Sequence, residues 1–214
     1  MEVQERKTWL SIEERITGER GRQYGKTLED IRTDHVERYR FAASLLKTND
    51  RILDAACGCG YGSSILTAAG CLVDGIDASP DAISYAEEHW PGPRYRIQKI
   101  ESGVFPRKWY DTIISFETLE HLKDPLHALQ TFKQKTDRLI ASVPNEEHYK
   151  FDSAKFIFDE YPHFRHYTPF EFECLLNSAG FVVESRHHQK NKMSSVEEGT
   201  EGMFMIYICG SGQT

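Results

Sequence analysis

The sequence of 214 residues predicts an α/β fold built on a doubly wound sheet of seven strands, mostly parallel, with an antiparallel last strand. Three observations support this prediction. From Arg51 onward, short β-rich runs alternate with helix-length segments, which is typical of βαβ units. A glycine-rich turn joins the first run to the first helix. Two apolar runs near the carboxyl end are separated by a polar stretch, so we expect them to pair as an antiparallel hairpin.

Each strand is predicted from a short run of β-branched, aromatic or other apolar residues between turn signals. The run YDTIISF at 110–116 is apolar almost throughout, as expected for a strand buried on both faces. The polar stretch 186–202, which contains EEGTEG, is predicted to be a loop that packs little. The seven predicted strands are Arg51–Ala55 and residues 72–76, 94–98, 110–116, 138–143, 181–185 and 203–209.

The helices are predicted from apolar spacing and from end signals. Pro80–His89 begins with a proline, and the helix at 169–179 is followed by Gly180. The helix at 34–46 repeats apolar residues at helical spacing, with Asp34 as the expected N-cap, and should cover the site described below. The five predicted helices are residues 34–46 and 61–69, Pro80–His89, Pro125–Lys133, and residues 169–179.

The composition indicates one domain outside the membrane. Hydrophobic residues make up 39% of the chain, and no apolar run is long enough to span a bilayer. The charged start MEVQERKTWL lacks the apolar stretch of a secretory signal, so we expect a cytoplasmic protein with reduced cysteines. A formal net charge of -7 opposes strong attraction to phosphate backbones, which makes nucleic acid an unfavoured partner.

A glycine-rich turn and a carboxylate form the main functional signal. In RILDAACGCGYGSSIL a strand runs through Asp54, Gly58 and Gly60 into a helix, so that backbone amides can approach a ligand closely. Asp77 ends the second strand 19 residues after Gly58, where dinucleotide folds place the carboxylate that accepts hydrogen bonds from ribose hydroxyls. Asp77 could instead help to cap the next helix with Ser79. The glycine-rich turn and Asp77 together predict a Rossmann-like nucleotide site.

These segments resemble the class I S-adenosylmethionine-dependent methyltransferases. LDAACGCGYG is similar to the first motif of that superfamily, GIDAS to its acidic second motif, and DTIISFETLEHL to its fourth-strand motif. The resemblance implies S-adenosyl-L-methionine as cofactor. It also implies that the methionine part lies on the turn, that Asp77 binds the ribose, and that other residues line the site. Those residues are Asp54, Ala56, Cys57, Gly58 and Gly60 at the turn, Ala78 beside the adenine, and Phe116 and Glu117 near the sulfonium.

A second resemblance covers RTDHVERYRFAASLL, which is similar to the leading helix of methyltransferases that modify glycans and small molecules. It implies that Arg38 or Tyr39 meets the cofactor carboxylate. Relatives commonly hold the adenine amine with an Asp after the third strand, whereas this chain has Ile100 and Glu101 there. We also expect residues 17–27 to close over the cofactor, with Gln23 and Tyr24 as contacts. Together, these assignments divide the single domain into an N-terminal cap with the leading helix (1–50), a cofactor-binding half (51–145) and an acceptor side with the carboxyl-terminal hairpin (146–214).

The acceptor end is less clearly marked. A histidine is a natural base near neutral pH, and the candidates are His121 and the segment YPHFRHYTP with His163, His166 and Tyr167. That segment ends an aromatic insertion, residues 149–167, which is either a lid over the acceptor or a satellite core. For His121, the alternative of a hydrogen-bonded packing residue under the cofactor is favoured over a catalytic role. No metal is predicted, because Pro162 interrupts the segment and further ligands do not follow at structural-site spacing.

The acidic charge, the aromatic insertion and the glycan-associated resemblance together predict O-methylation of a small molecule or sugar. A nicotinamide dehydrogenase is disfavoured, because the GxGxxG opening is absent. A nucleic-acid or protein methyltransferase, and a noncatalytic domain with a vestigial cofactor pocket, remain alternatives. The Asn/Asp-Pro-Pro-aromatic signature of amino-methylating DNA enzymes is replaced here by SFETLEHL.

Overall fold

The computed structural model describes residues 22–156 and 162–212, and every structural statement below concerns these residues. The helices are α1 (Thr33–Ser44), α2 (Tyr61–Ala68), α3 (Pro80–His89), α4 (Pro125–Lys133), α5 (Ser153–Phe156) and α6 (Pro169–Ser178). The strands are β1 (Arg51–Ala55), β2 (Leu72–Asp77), β3 (Arg94–Ile97), β4 (Thr112–Phe116), β5 (Leu139–Pro144), β6 (Val182–Gln189), β7 (Glu197–Glu198) and β8 (Phe204–Gly210). Short 3-10 helices lie at Leu28–Asp30, Ile100–Ser102 and Leu119–His121.

The strands form one sheet in the order β3-β2-β1-β4-β5-β8-β6-β7. Strands β1 to β5 pair in parallel, and β8 lies antiparallel between β5 and β6. The predicted fold class and the antiparallel carboxyl-terminal pair are therefore confirmed. The seven predicted strands are all present. The additional strand β7 is only two residues long and carries no apolar signal, which is why the sequence pattern does not reveal it.

The core consists of two layers, one on each face of the sheet. Successive strand residues alternate between them: Leu53 packs in the layer that contains α4 and α6, whereas Ile52 packs with α1, α2 and α3. None of the helices in the described ranges is both long and apolar enough to cross a bilayer.

Two local predictions are wrong. Residues 186–189 of the predicted loop continue β6, because β8 supplies backbone hydrogen-bond partners regardless of side-chain polarity, and His188 is buried rather than solvated. The N-cap of α1 is Arg32, and Asp34 lies inside the first turn. Asp34 is fully buried there, with an Arg32 nitrogen at 2.6 Å and an Arg38 nitrogen at 3.7 Å.

Candidate functional site

A cavity of about 520 Å³ opens where the carboxyl ends of β1, β2 and β4 meet. The chain leaves β1 toward β2 on one side and later returns to β4 on the other, so this edge is the topological switch point of the sheet. Ligands of doubly wound sheets bind at such points. Helix α1 and the turn after β4 also contribute residues to the lining, so the cavity has backbone amides, carboxylates and a buried cation around it.

The turn after β1 has an unusual backbone. Ala56, Gly58 and Gly60 all have positive φ angles, of 65°, 56° and 90°. Gly60 caps α2, and a Cβ atom there would lie 2.6 Å from the Cβ of Ala86 and 2.7 Å from the hydroxyl of Tyr95. Glycine is therefore required at position 60 for close packing under the turn. This packing aims the start of α2 at the sheet edge.

The carboxylate of Asp77 is joined directly to the glycine turn. The backbone N–H groups of Gly58 and Ser79 each donate to it at 2.9 Å, and both guanidinium nitrogens of Arg22 lie at 3.4 Å. Ser79 Oγ accepts the capping bond from Ala82 N, and Asp77 supports this cap only indirectly, through the N–H of Ser79. Asp77 thus presents a buried, pre-oriented carboxylate to the cavity.

Asp54 supports the same turn from below. It is fully buried and accepts hydrogen bonds from Ser63 Oγ at 2.6 Å and from the Tyr39 hydroxyl at 2.9 Å. These bonds tie α1 and α2 to the end of β1. Burial raises the pKa of Asp54 to about 6, against the opposing effect of the two hydrogen bonds.

Arg38 brings a buried positive charge to the cavity. Its guanidinium contacts Glu117 at 3.2 Å, Ser142 at 3.3 Å and Gln189 at 2.9 Å. Its Nη2 atom makes no hydrogen bond within the described residues, although Asp34 lies 3.7 Å away. A buried cation with an unsatisfied N–H donor is suited to receive the carboxylate of a ligand.

The turn after β4, like the turn after β1 at Ala56, contains a non-glycine residue with a positive φ angle. Glu117 has a φ of 47°, and its carboxylate is held by Arg38 and by the Ser142 hydroxyl at 2.8 Å. Burial raises the pKa of Glu117, with the positive charge of Arg38 acting in the opposite direction. The Phe116 ring packs edge-on against the Tyr39 ring at a centroid distance of 5.0 Å. These residues form one wall of the cavity.

Of the four candidate catalytic residues, two histidines face the cavity, and the third histidine and the tyrosine lie behind them. His121 and His163 line the cavity with ring centroids 4.4 Å apart. His166 lies 3.0 Å from His163, nitrogen to nitrogen, and the buried Tyr167 hydroxyl donates to the carbonyl of Leu119 at 3.3 Å. Burial lowers the pKa of His163 to about 3, and it raises the pKa of Tyr167.

Residues 27–186 match a family described as "Methyltransferase domain". The chain belongs to this methyltransferase family. Ubiquinone biosynthesis O-methyltransferases from Actinobacillus pleuropneumoniae and Nitrosomonas europaea are each 34% identical, over 92 and 85 residues. The matches cover 39% and 37% of this chain, and 39% and 36% of those proteins, so this chain matches less than half of their length.

The fold is also shared with solved methyltransferase structures. An S-adenosylmethionine-dependent methyltransferase from Thermotoga maritima aligns with 84% of this chain and 90% of its own, at a TM-score of 0.67 and 18% identity. Magnesium protoporphyrin IX methyltransferase from Synechocystis PCC 6803, with bound S-adenosylmethionine, aligns with 83% and 80% at a TM-score of 0.61 and 18% identity. The predicted family, an S-adenosylmethionine-dependent methyltransferase, is confirmed.

The methyltransferase cavity collects most of the predicted cofactor residues. Those that line it are Arg38, Tyr39, Ala56, Cys57, Gly58, Asp77, Ala78, Ile100, Glu101, Phe116 and Glu117. Asp54 and Gly60 support it from behind. Tyr24 lies outside it, with its ring edge-on to Tyr85 at 6.1 Å, whereas the neighbouring Gln23 lines the cavity. Residues 17–21 of the predicted closing segment, and residues 157–161 of the aromatic insertion, fall outside the described ranges.

Several lining residues escaped the sequence reasoning. Lys192 reaches the cavity from the segment predicted to be a loop, and its carbonyl accepts a hydrogen bond from the backbone of Asp34. Glu120 is fully buried and also lines the cavity. The sequence places Glu120 beside His121 in the fourth-strand motif, and this was the one available signal for its position.

Proposed function

We propose that this methyltransferase transfers the methyl group of S-adenosyl-L-methionine to a hydroxyl oxygen of a small-molecule or sugar acceptor. The observation that carries the proposal is the joining of Asp77 to the Gly58 amide in a cavity whose other wall carries His121 and His163. A nucleotide end and an end that can accept a hydrogen bond from a hydroxyl group are thereby present in one cavity.

The residues around the turn fit the cofactor. The Asp77 carboxylate suits the two ribose hydroxyls, once the guanidinium of Arg22 leaves it. The buried Arg38, with its unsatisfied Nη2, suits the carboxylate of the methionine part. Ala78 and the buried Ile100 offer apolar surface for the adenine. When bound, the cofactor supplies an electrophilic methyl carbon on a positively charged sulfur.

The acceptor end is suited to a hydroxyl group. Methyl transfer to a hydroxyl requires alignment, exclusion of water and removal of one proton. His163 is neutral at physiological pH because burial lowers its pKa to about 3, so it can accept a hydrogen bond from the hydroxyl. Such a low pKa makes it a weak base, so we assign His163 and His121 to orienting the hydroxyl, and the hydroxyl proton passes to solvent water as the methyl group is transferred. His166 and Tyr167 position this pair from behind.

The relatives favour oxygen as the methylated atom and a small molecule as the acceptor. The matched O-methyltransferases act, by their description, in ubiquinone biosynthesis. The cavity of about 520 Å³ has the size of small-molecule sites. The formal charge of -7 disfavours nucleic acid.

The test is a methyl-transfer screen with labelled S-adenosylmethionine across catechols and phenols, sugars, nucleotides, DNA and protein extract. We expect label on a small hydroxylated compound, with the O-methyl linkage established by mass spectrometry and NMR, and much less label with the Asp77→Asn enzyme when the cofactor concentration is below its Kd for that variant. Label only in DNA or protein would overturn the acceptor class. Binding of S-adenosylhomocysteine without transfer to any class would support a noncatalytic domain instead.

A further inference from the structure

One carboxylate and two imidazoles meet beside the turn after β4. Glu120, His121 and His163 each offer a ligand atom, and these three atoms lie within 4.8 Å of one another. His121 Nε2 is 3.9 Å from Glu120 Oε1. All three residues line the cavity. The sequence indicated no metal site because His163 follows the other two residues by about 40 positions, and only the fold brings it to them.

Glu120 has no apparent structural reason to be an acid. Its side chain is fully buried, and neither carboxylate oxygen has a hydrogen-bond partner within the described part of the chain. Burying a carboxylate without a partner is costly, and burial together with the nearby charge of Glu117 raises the pKa of Glu120. Glu117 differs, because Arg38 and Ser142 already satisfy it. Glu120 therefore lacks the cation that its neighbour has.

The hydrogen bonds behind the two histidines determine which ring nitrogen of each keeps its lone pair. The carbonyl of Pro162 can only accept, so His121 donates to it from Nδ1 and keeps its lone pair on Nε2. The carbonyl of Tyr149 likewise receives Nδ1–H of His166 at 2.6 Å, which makes the His166 Nε2 an acceptor for Nδ1–H of His163. His163 then also carries its lone pair on Nε2. Metal-ligating histidines are commonly oriented by such bonds at the opposite nitrogen.

We propose that Glu120, His121 and His163 bind a divalent first-row transition-metal cation, such as Mn²⁺ or Zn²⁺, at the acceptor end of the cavity. Two imidazole nitrogens and one carboxylate oxygen suit these ions better than Ca²⁺ or Mg²⁺, which prefer oxygen ligands. Three protein ligands leave coordination positions toward the cavity. A second step rests on the proposed function: with a cation on the two histidines, the cation would replace their direct hydrogen bonds to the acceptor hydroxyl, hold that hydroxyl in place and lower its pKa.

Direct metal binding tests the site without reference to activity. The full chain, freed of any affinity tag and of metal, is titrated with Mn²⁺ under electron paramagnetic resonance and with Co²⁺ under visible absorption. We expect one equivalent per chain for the wild type and at least tenfold weaker binding for Glu120→Gln and His163→Ala. The controls Glu88→Gln and His127→Ala change exposed residues of the same types on α3 and α4, and should bind as the wild type does. Equal binding by wild type and Glu120→Gln, or no stoichiometric binding by the wild type, would overturn the proposal.

Thermal unfolding gives an independent reading if a variant folds poorly. Glu120→Gln keeps the side-chain shape and removes a buried acid, so the metal-free variant should unfold at the wild-type temperature or above it. Saturating Mn²⁺ should raise the unfolding temperature of the wild type by about 3 °C or more and leave that of Glu120→Gln unchanged. The two proposals can fail separately, because metal binding without methyl transfer refutes only the proposed function. Methyl transfer by an enzyme that binds no metal refutes only this site.

Discussion

Replacing Asp77 by Asn should weaken cofactor binding more than any other single isosteric change at the nucleotide end. Asp77 is almost fully buried, and its two oxygens already accept from Gly58 N and Ser79 N at 2.9 Å. Their remaining lone pairs face Arg22, where the ribose hydroxyls would bind. Whichever way its amide is turned, an Asn side chain places its NH₂ group against the N–H of Gly58 or of Ser79, and the negative charge is lost. Either orientation removes one charge-assisted bond.

Hydrogen bonds to charged groups contribute roughly 1.5–3 kcal/mol. We therefore expect Asp77→Asn to weaken the binding of S-adenosylhomocysteine by about 2 kcal/mol, which corresponds to a roughly thirtyfold higher Kd. Isothermal titration calorimetry measures this directly. Methylthioadenosine, which keeps the ribose but lacks the amino-acid part, should show the same loss.

Asp74→Asn is the matched control. Asp74 lies on the same strand, is also buried, and binds Arg107 at 2.6 Å, but it does not line the cavity. Its variant should lose stability and keep the wild-type Kd. A Kd for Asp77→Asn within twofold of the wild type, in a folded protein, would refute the ribose role of Asp77.

Three further predictions concern the same turn. Arg22→Ala should tighten S-adenosylhomocysteine binding severalfold in calorimetry, because Arg22 occupies the ribose side of Asp77; weaker binding would instead make Arg22 a cofactor contact. The pKa of Asp54 is about 6 in the folded chain and 3.8 when unperturbed, so its contribution to the free energy of unfolding decreases by about 2 kcal/mol as pH rises from 4 to 7. Urea unfolding of wild type and Asp54→Asn should show this as a pH-dependent difference, and parallel curves would contradict it. Gly60→Ala should lose about 1–3 kcal/mol more stability in urea unfolding than Gly103→Ala. Both glycines have positive φ, but only at Gly60 does a Cβ clash, so equal losses would disprove the packing argument.

The sequence by itself determined the strands, the helices and the nucleotide end of the site. These depend on local constraints: apolar periodicity, the glycines that the turn geometry requires, and the fixed spacing from Gly58 to Asp77, which the structure turns into a 2.9 Å hydrogen bond. Cavity lining by Ala56, Ala78 and Phe116 followed from the same motifs. Tyr24 does not line the cavity, and no spacing rule fixes where a segment ahead of the first helix packs.

Only the tertiary structure determined which charged side chains contact one another and which residues form the acceptor end of the cavity. The partners of Arg38 come from α1, the turn after β4, β5 and β6, and no local pattern joins segments so far apart. The extension of β6 depends on backbone pairing with β8 rather than on its own polar side chains. Glu120 is an ordinary acid in the sequence, and only the fold buries it with no hydrogen-bond partner for its carboxyl oxygens among the described residues. Its proximity to His163 depends on packing between segments that are distant in the sequence. The free energy of a buried charge is likewise set by its surroundings in three dimensions.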